Sequence, residues 1–230
     1  MSEQTTNESY QYAQGINLMD QLPAVNSAIV GESPLAHVDL ADLARAQKDS
    51  KGTVELTELA MRAHIVLRGN PENSGFAKGV ESVLGVALPD TLTMHSKEEV
   101  SIRWISPDEW LVITPAEQGF AIEEALVNAV QGHCAIVNVS GGQTLLRLSG
   151  ANAQQVLQKS VPLDVHSRAF PVGKVVTSVF AKTQAVISRN ADAQWELVIR
   201  RSFADYAWLW LQDSCAEYGL VIKQDANDNP

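Results

Sequence analysis

Cysteine is nearly absent from this sequence: Cys134 and Cys215 are the two in 230 residues, far apart and outside any C-x-x-C pair. That removes a dithiol redox motif and a cysteine-built zinc site from the reading, and it suits a reducing compartment better than a disulfide-stapled secreted one. Long hydrophobic runs are missing as well. The longest, such as AWLWL at 207–211, falls far short of the roughly 20 residues that cross a bilayer. Residues 1–22 offer neither a basic n-region nor an apolar h-region, so no signal peptide is read. Positive charge is scarce too. Seventeen Lys and Arg stand against 27 Asp and Glu, a net charge of -10 with no basic cluster, the reverse of a nucleic-acid binder's footprint. The absences converge on a cytoplasmic protein without nucleic-acid or membrane partners.

What is present is enough for a real core, with 45% hydrophobic and 19% charged residues. Residues 1–30 are polar, rich in Gln, Asn and Ser and without periodicity, and are expected to be a disordered lead-in. Residues 31–222 form the folded domain, and 223–230 a flexible tail. Strand material around 54–69 ends at Gly69–Asn70–Pro71. Phe76, Val80, Val83 and Leu84 then recur at helical spacing. A hairpin turns at Pro107–Asp108–Glu109, and a second amphipathic helix closes at Gly132. The order then repeats. AIVNVSGGQTLLRLSG reads as a hairpin through Gly141–Gly142, a helix follows Gly150, and further strands lead to a last helix with Ser202 as N-cap. Gly69 matches Gly150, and Trp110 matches Trp195. The reading is an α+β fold of two pseudo-repeated β-α-β-β-α units, at about 54–131 and 133–219, with antiparallel sheets.

Chemistry is harder to find. No G-x-G-x-x-G follows a strand, so no dinucleotide site is read, and SGGQ at 140–143 is taken as a turn rather than a phosphate cradle. The five histidines are scattered, with no i, i+4 pair. The densest stretch is SVPLDVHSRAFPVG at 160–173. It is read as a structural connector in which Asp164 and Arg168 pair across a tight turn and Phe170 plugs the core. The competing reading makes His166 a proton-transfer group, which needs an oriented partner and a pocket. In RRSFADYAWLWL, helical spacing puts Phe203, Tyr206 and Trp210 together and Trp208 on another face. Arg200, Arg201 and Trp208 are therefore the candidate interface, made of types that dominate binding hot spots. No catalytic, cofactor-binding or metal-binding residue is assigned.

Five segments carry a family resemblance: SPLAH, WISPDEWLVITP, SGGQTLLRLSG, VPLDVHSRAFPVGKVVTSVFAK and RRSFADYAWLWL. Together, across about residues 31–222, they resemble the gamma subunits of heterotetrameric sarcosine oxidase, relatives of the folate-binding aminomethyltransferases. The resemblance implies an aminomethyltransferase-like fold without the C-terminal barrel of those enzymes. It also implies alpha, beta and delta partner chains that carry FAD, FMN, NAD, zinc and tetrahydrofolate, and none of these on this chain. The complex so implied demethylates sarcosine oxidatively to glycine, with hydrogen peroxide and methylenetetrahydrofolate as products. Where the transferases have a glycine-rich hairpin tip bearing an acid, this sequence has AKTQAVIS, with Lys182, Thr183 and Gln184. Where they have an Asn after the next strand, it has Arg200–Arg201. Both departures favour a non-catalytic subunit over a free-standing folate-binding transferase; an unrelated α+β binding module is the third alternative.

Overall fold

Alternating burial along the strands dictates the layers. In the computed structural model, which describes residues 31–47 and 50–225, the helix-facing positions of the central strands are apolar, and their opposite face meets a second sheet rather than water. The readings made for residues 1–30 and 226–230 lie outside the described residues.

The elements run α1 (Leu40–Ala46), β1 (Val54–Leu59), β2 (Arg62–Gly69), α2 (Ser74–Leu84), β3 (Met94–Lys97), β4 (Val100–Ser106), β5 (Glu109–Pro115) and α3 (Ala116–Ala129). The second half follows with β6 (Cys134–Asn138), β7 (Gln143–Ser149), α4 (Ala153–Ser160), β8 (Val175–Phe180), β9 (Thr183–Ala191), β10 (Gln194–Arg200), α5 (Ala204–Cys215) and β11 (Leu220–Ile222). One sheet is ordered β3-β4-β5-β2-β6 and the other β8-β9-β10-β7-β1-β11. All pairings are antiparallel except β1 with β11. The fold is thus α+β, with antiparallel-rich sheets and no closed barrel among the described residues.

The two sheet orders coincide once β1 and β6 are seen as exchanged. Each half lends its leading strand to the other half's sheet and keeps four equivalent strands of its own, to which the second half adds β11 at the edge beside β1. β6 pairs with β2 from Ile65↔Asn138 to Gly69↔Cys134, while β1 pairs with β7 from Glu55↔Ser149 to Leu59↔Leu145. This corrects the hairpin expected through Gly141–Gly142. β6 and β7 belong to different sheets, and residues Ser140–Gly142 form a short 3₁₀ turn that carries the chain between them.

Three apolar clusters hold the layers. α2 and α3 cover one outer face through Phe76, Val80 and Leu126 packed on Ile65, Leu67 and Trp110. α4 and α5 cover the other through Val156, Leu157, Trp208 and Leu211 on Leu146, Trp195 and Leu197. Between the sheets, Leu59, Leu111, Ile113, Leu145 and Val198 form the third. The two halves repeat an aromatic anchor: Phe76 and Trp110 ring centroids lie 5.7 Å apart, and those of Phe170 and Trp195 4.9 Å.

Two termini differ from expectation. Ser202 is no N-cap: it sits within a 3₁₀ turn, Arg201–Phe203, and Phe203 occupies the cap position of α5. The tail is not loose as far as Asp225, because the Lys223 N–H donates to Leu56 O at 2.8 Å and Asp225 accepts from Arg62 Nη2 at 2.6 Å.

Candidate functional site

The stretch at 160–173 is the first place to look for chemistry. α4 ends at Ser160, immediately before Val161 and Pro162. Asp164 Oδ1 then accepts the His166 N–H at 2.9 Å, and the His166 carbonyl accepts from the N–H groups of Ala169 and Phe170 at 2.9 and 2.8 Å. Arg168 N–H donates to His166 Nδ1 at 3.3 Å. The expected Asp164–Arg168 ion pair does not form; Asp164 is occupied by the turn's backbone instead. Phe170 is 1% exposed and lies against Trp195, and Arg189 Nη1 donates to its carbonyl at 2.9 Å. Asp164, His166 and Arg168 are all exposed. The exit of this segment ties the two halves together: Met94 N–H donates to Gly173 O, and Val175 N–H to Leu92 O, both at 2.9 Å.

At the start of α5 the sequence reading needs correction. Trp208 is 5% exposed and belongs to the core, because Ala204, Ala207, Trp208, Leu211 and Cys215 make the buried stripe at helical spacing. Phe203, expected to pack inward, is 43% exposed, and Leu209 is 55% exposed. Trp210 is half-buried, with Nε1 donating to Ser160 Oγ at 3.0 Å. Arg200 and Arg201 do lie exposed at this end, and neither forms an ion pair among the described residues. The candidate surface is therefore Arg200, Arg201, Phe203 and Leu209, without Trp208.

The electrostatic centre of the molecule was not singled out from the sequence. Arg103 on β4, Glu196 on β10 and Arg147 on β7 project from facing sheets into the space between them. Arg103 is 1% and Glu196 3% exposed. Arg103 Nη2 donates to Glu196 Oε2, while Arg147 donates to Oε1 through Nη2 at 2.8 Å and Nε at 3.1 Å. Burial pushes the Glu196 carboxyl up, but the two guanidinium charges and their hydrogen bonds outweigh it and leave the pKa below the usual carboxylate value. A cavity of about 300 Å³ opens beside the cluster, with Arg62, Met94 and Asn190 also on its walls. Because both carboxylate oxygens are held by arginines, Glu196 is an electrostatic clasp between the halves and is poorly suited to act as a base.

One legible signal could have found this centre. Arg103 stands between Ile102 and Trp104, Arg147 between Leu146 and Leu148, and Glu196 between Trp195 and Leu197. A charge flanked by large apolar residues on a strand reads as solvent-facing only if one sheet face is wet. Here that face meets another sheet.

Comparison with known proteins gives this geometry its setting. Residues 68–217 match the model of the "Sarcosine oxidase, gamma subunit family". The sarcosine oxidase subunit gamma of Corynebacterium sp. (strain P-1) is 34% identical over 197 residues, covering 84% of this chain and 94% of that protein. The corresponding Arthrobacter sp. subunit is 32% identical with the same coverage. Among solved structures, a chain of the heterotetrameric sarcosine oxidase from Corynebacterium sp. U-96, in complex with pyrrole 2-carboxylate, superposes with a TM-score of 0.72. It is 27% identical, and the match covers 82% of this chain and 96% of that one. The glycine cleavage system aminomethyltransferase T from Bartonella henselae shares the fold, at a TM-score of 0.58 and 14% identity over 79% of this chain and 50% of that one. A family match across most of the folded region, with relatives above 30% identity over nearly their whole length, settles the relationship: this chain belongs to the sarcosine oxidase gamma subunit family.

Proposed function

We propose that this chain is the non-catalytic gamma-type subunit of a heterotetrameric sarcosine oxidase, the complex that demethylates sarcosine oxidatively to glycine with formation of hydrogen peroxide and methylenetetrahydrofolate. The observation that carries it is the match to a chain of the heterotetrameric enzyme along 96% of that chain's length. The non-catalytic part rests on the site geometry. The buried carboxylate of Glu196 is held by two arginines, and His166 lies exposed on a turn whose hydrogen bonds are all structural. In this reading alpha, beta and delta chains are the partners, and they hold FAD, FMN, NAD, zinc and tetrahydrofolate. The assembly works in the cytoplasm; no described helix is long and apolar enough to cross a membrane.

The contact surface in this reading is the exposed end of α5, where Arg200 and Arg201 are accompanied by Phe203 and Leu209. Co-expression of the chain with alpha-, beta- and delta-type chains tests both statements. The complex is expected to co-purify with sarcosine oxidase activity, while the chain alone is colourless and inactive. Arg201→Glu is expected to lower recovery of the complex, with the free subunit's circular dichroism unchanged. A chain that turns over sarcosine alone, or that never associates with the other chains, would overturn the assignment. Normal recovery of the Arg201→Glu and Leu209→Asp variants would remove only the surface.

A further inference from the structure

A second cavity, of about 580 Å³, shares Leu59 and Arg62 with the one beside the Arg103–Glu196 clasp and opens at the exchange point where the β1–β2 turn meets the loop between β6 and β7. Its size falls in the range of small-molecule sites. Its mouth is apolar: Met61 is 52% exposed, Phe120 45%. Met61 also has a left-handed backbone, with φ of 51°, a conformation that costs a non-glycine residue and recurs at binding sites.

The wall is polar, and most of its groups are satisfied. Ser140 Oγ accepts the His64 N–H at 3.0 Å and donates to Asn138; Thr144 Oγ1 donates to Glu58 at 2.7 Å; Asn138 Nδ2 donates to Glu123 at 3.0 Å. Two acceptors are left over. His64 and Gln143 both line this cavity, and His64 Nε2 and Gln143 Oε1 are buried atoms without a hydrogen-bond partner among the described residues. His64 is 1% exposed. Its Nδ1 lies 3.1 Å from Arg62 O. A carbonyl only accepts, so Nδ1 carries the proton and Nε2 presents a bare lone pair. Buried polar atoms in native proteins are almost always paired, and an orphan costs free energy that a bound donor recovers.

The electrostatics narrow the class of donor. Arg62 and Arg201 line the same cavity, and burial together with the charge of Arg103 holds the His64 pKa down at about 4, so the ring is neutral at neutral pH. Arg62 is already paired with Asp225, and Arg201 and Glu32 bring opposite charges to the wall, so no single sign of charge is left to hold an ionic head. A neutral O–H or amide N–H needs none.

We propose that this cleft is a binding site for a small neutral amphipathic molecule, a phenol, alcohol or primary amide on an apolar body, whose donor engages His64 Nε2 and Gln143 Oε1 while its body rests on Met61 and Phe120. Arg201 belongs both to this cavity and to the proposed contact surface, but the test below reads His64 and Gln143, so either statement can fail without the other.

The test uses the full chain and 4-methylphenol as probe, with 4-methylanisole as the donor-less control. The nitrogen NMR resonance of His64 Nε2 is followed during titration. The phenol is expected to move that resonance as the lone pair accepts a hydrogen bond, and the ether to bind about tenfold more weakly. Gln143→Leu, at a half-buried position, is expected to weaken the phenol several-fold and leave the ether unaffected; His64→Leu, if it folds, is expected to do the same. Equal affinity for phenol and ether, an unmoved His64 resonance at the probe's solubility limit, or phenol binding indifferent to Gln143→Leu would each overturn the proposal.

Discussion

His64 shows how much one buried ring contributes. Its pKa is lowered from 6.5 to about 4, mainly by burial and secondly by the charge of Arg103, against a smaller opposing hydrogen bond to the Arg62 carbonyl. The unfolded chain therefore takes up a proton below about pH 6.5 that the folded chain refuses until about pH 4. The neutral ring's contribution is fully present above pH 6.5, is lost as pH falls through that window, and does not fall further below it. The difference corresponds to roughly 3 kcal/mol. Urea midpoints measured from pH 7.5 to 4 should decline, and His64→Leu should flatten the decline across that window; an equal slope in the variant would remove His64 as its source. Trp208 makes a different point. Five per cent exposed and within the α5 core stripe, it should cost about 3–5 kcal/mol on truncation to alanine. Trp208→Ala is thus expected to lower the unfolding midpoint of the isolated chain severely, whereas Leu209→Asp, one position away but on the wet face, leaves it nearly unchanged. Parallel chemical denaturation of the two variants decides between core and interface for this ring. Cys215 belongs with the core too: fully buried, its thiol is pushed up to about 11 by burial and should resist alkylation in the folded chain.

At the scale of elements, α2 and the end of α3 approach closely at Gly79. A Cβ placed on Gly79 would lie 2.7 Å from Ala129 O and 2.8 Å from Val130 Cα, both main-chain atoms that cannot swing aside. Gly79→Ala should gain about 1 kcal/mol in helix propensity and lose about 1–3 kcal/mol by forcing the helices apart, for a net loss of stability. Gly142→Ala is the counter-case. A Cβ there meets nothing within 4 Å and the residue has no positive φ, so the variant should be neutral or stabilising by up to about 1 kcal/mol. Thermal melts of the pair test the packing directly; a stabilised Gly79→Ala would show that α2 and α3 can separate without loss.

The same elements show what was legible in the sequence. Phe76, Val80 and Leu84 marked α2, and Asn73 Oδ1 caps it as a turn residue should. The β4–β5 hairpin lay where Pro107–Asp108–Glu109 placed it. The pairing of β6 with β2 was not legible, because a strand's partner is fixed by tertiary packing and a glycine turn between two strands mimics a hairpin. β11 was not anticipated: three residues carry no periodicity, and a parallel partner is distant in sequence. The α5 face was misassigned because large aromatic rings outweighed the small residues Ala204 and Ala207 in judging the stripe, although it is their size that brings the helix onto the sheet.

Over the whole molecule, the exchange of β1 and β6 makes the two halves inseparable. Without the second half, β2 would keep β5 but lose β6 along Ile65–Gly69, and β1 would be left with neither β7 nor β11. The inter-sheet cluster of Leu59, Leu111, Ile113, Leu145 and Val198 would be cut through. Arg103 would also part from Glu196, and the face that the two sheets bury against each other would open to water. Such losses weigh heavily against the roughly 5–15 kcal/mol that holds a domain together. Although the sequence reads as a duplication, neither repeat is therefore expected to fold alone. Fragments 50–131 and 132–225 should each be unfolded or aggregated by circular dichroism, and mixing them should restore sheet structure and the protected amides of β2 and β7. The intact chain should melt in one transition, with tryptophan fluorescence and circular dichroism giving the same midpoint. Two separated transitions, or a fragment with a cooperative melt of its own, would mean that the exchanged strands are an ornament on two independent units. The clasp at Glu196 distinguishes these outcomes again: in a single cooperative unit Glu196→Gln shifts the whole transition, whereas in two units it alters only how they dock.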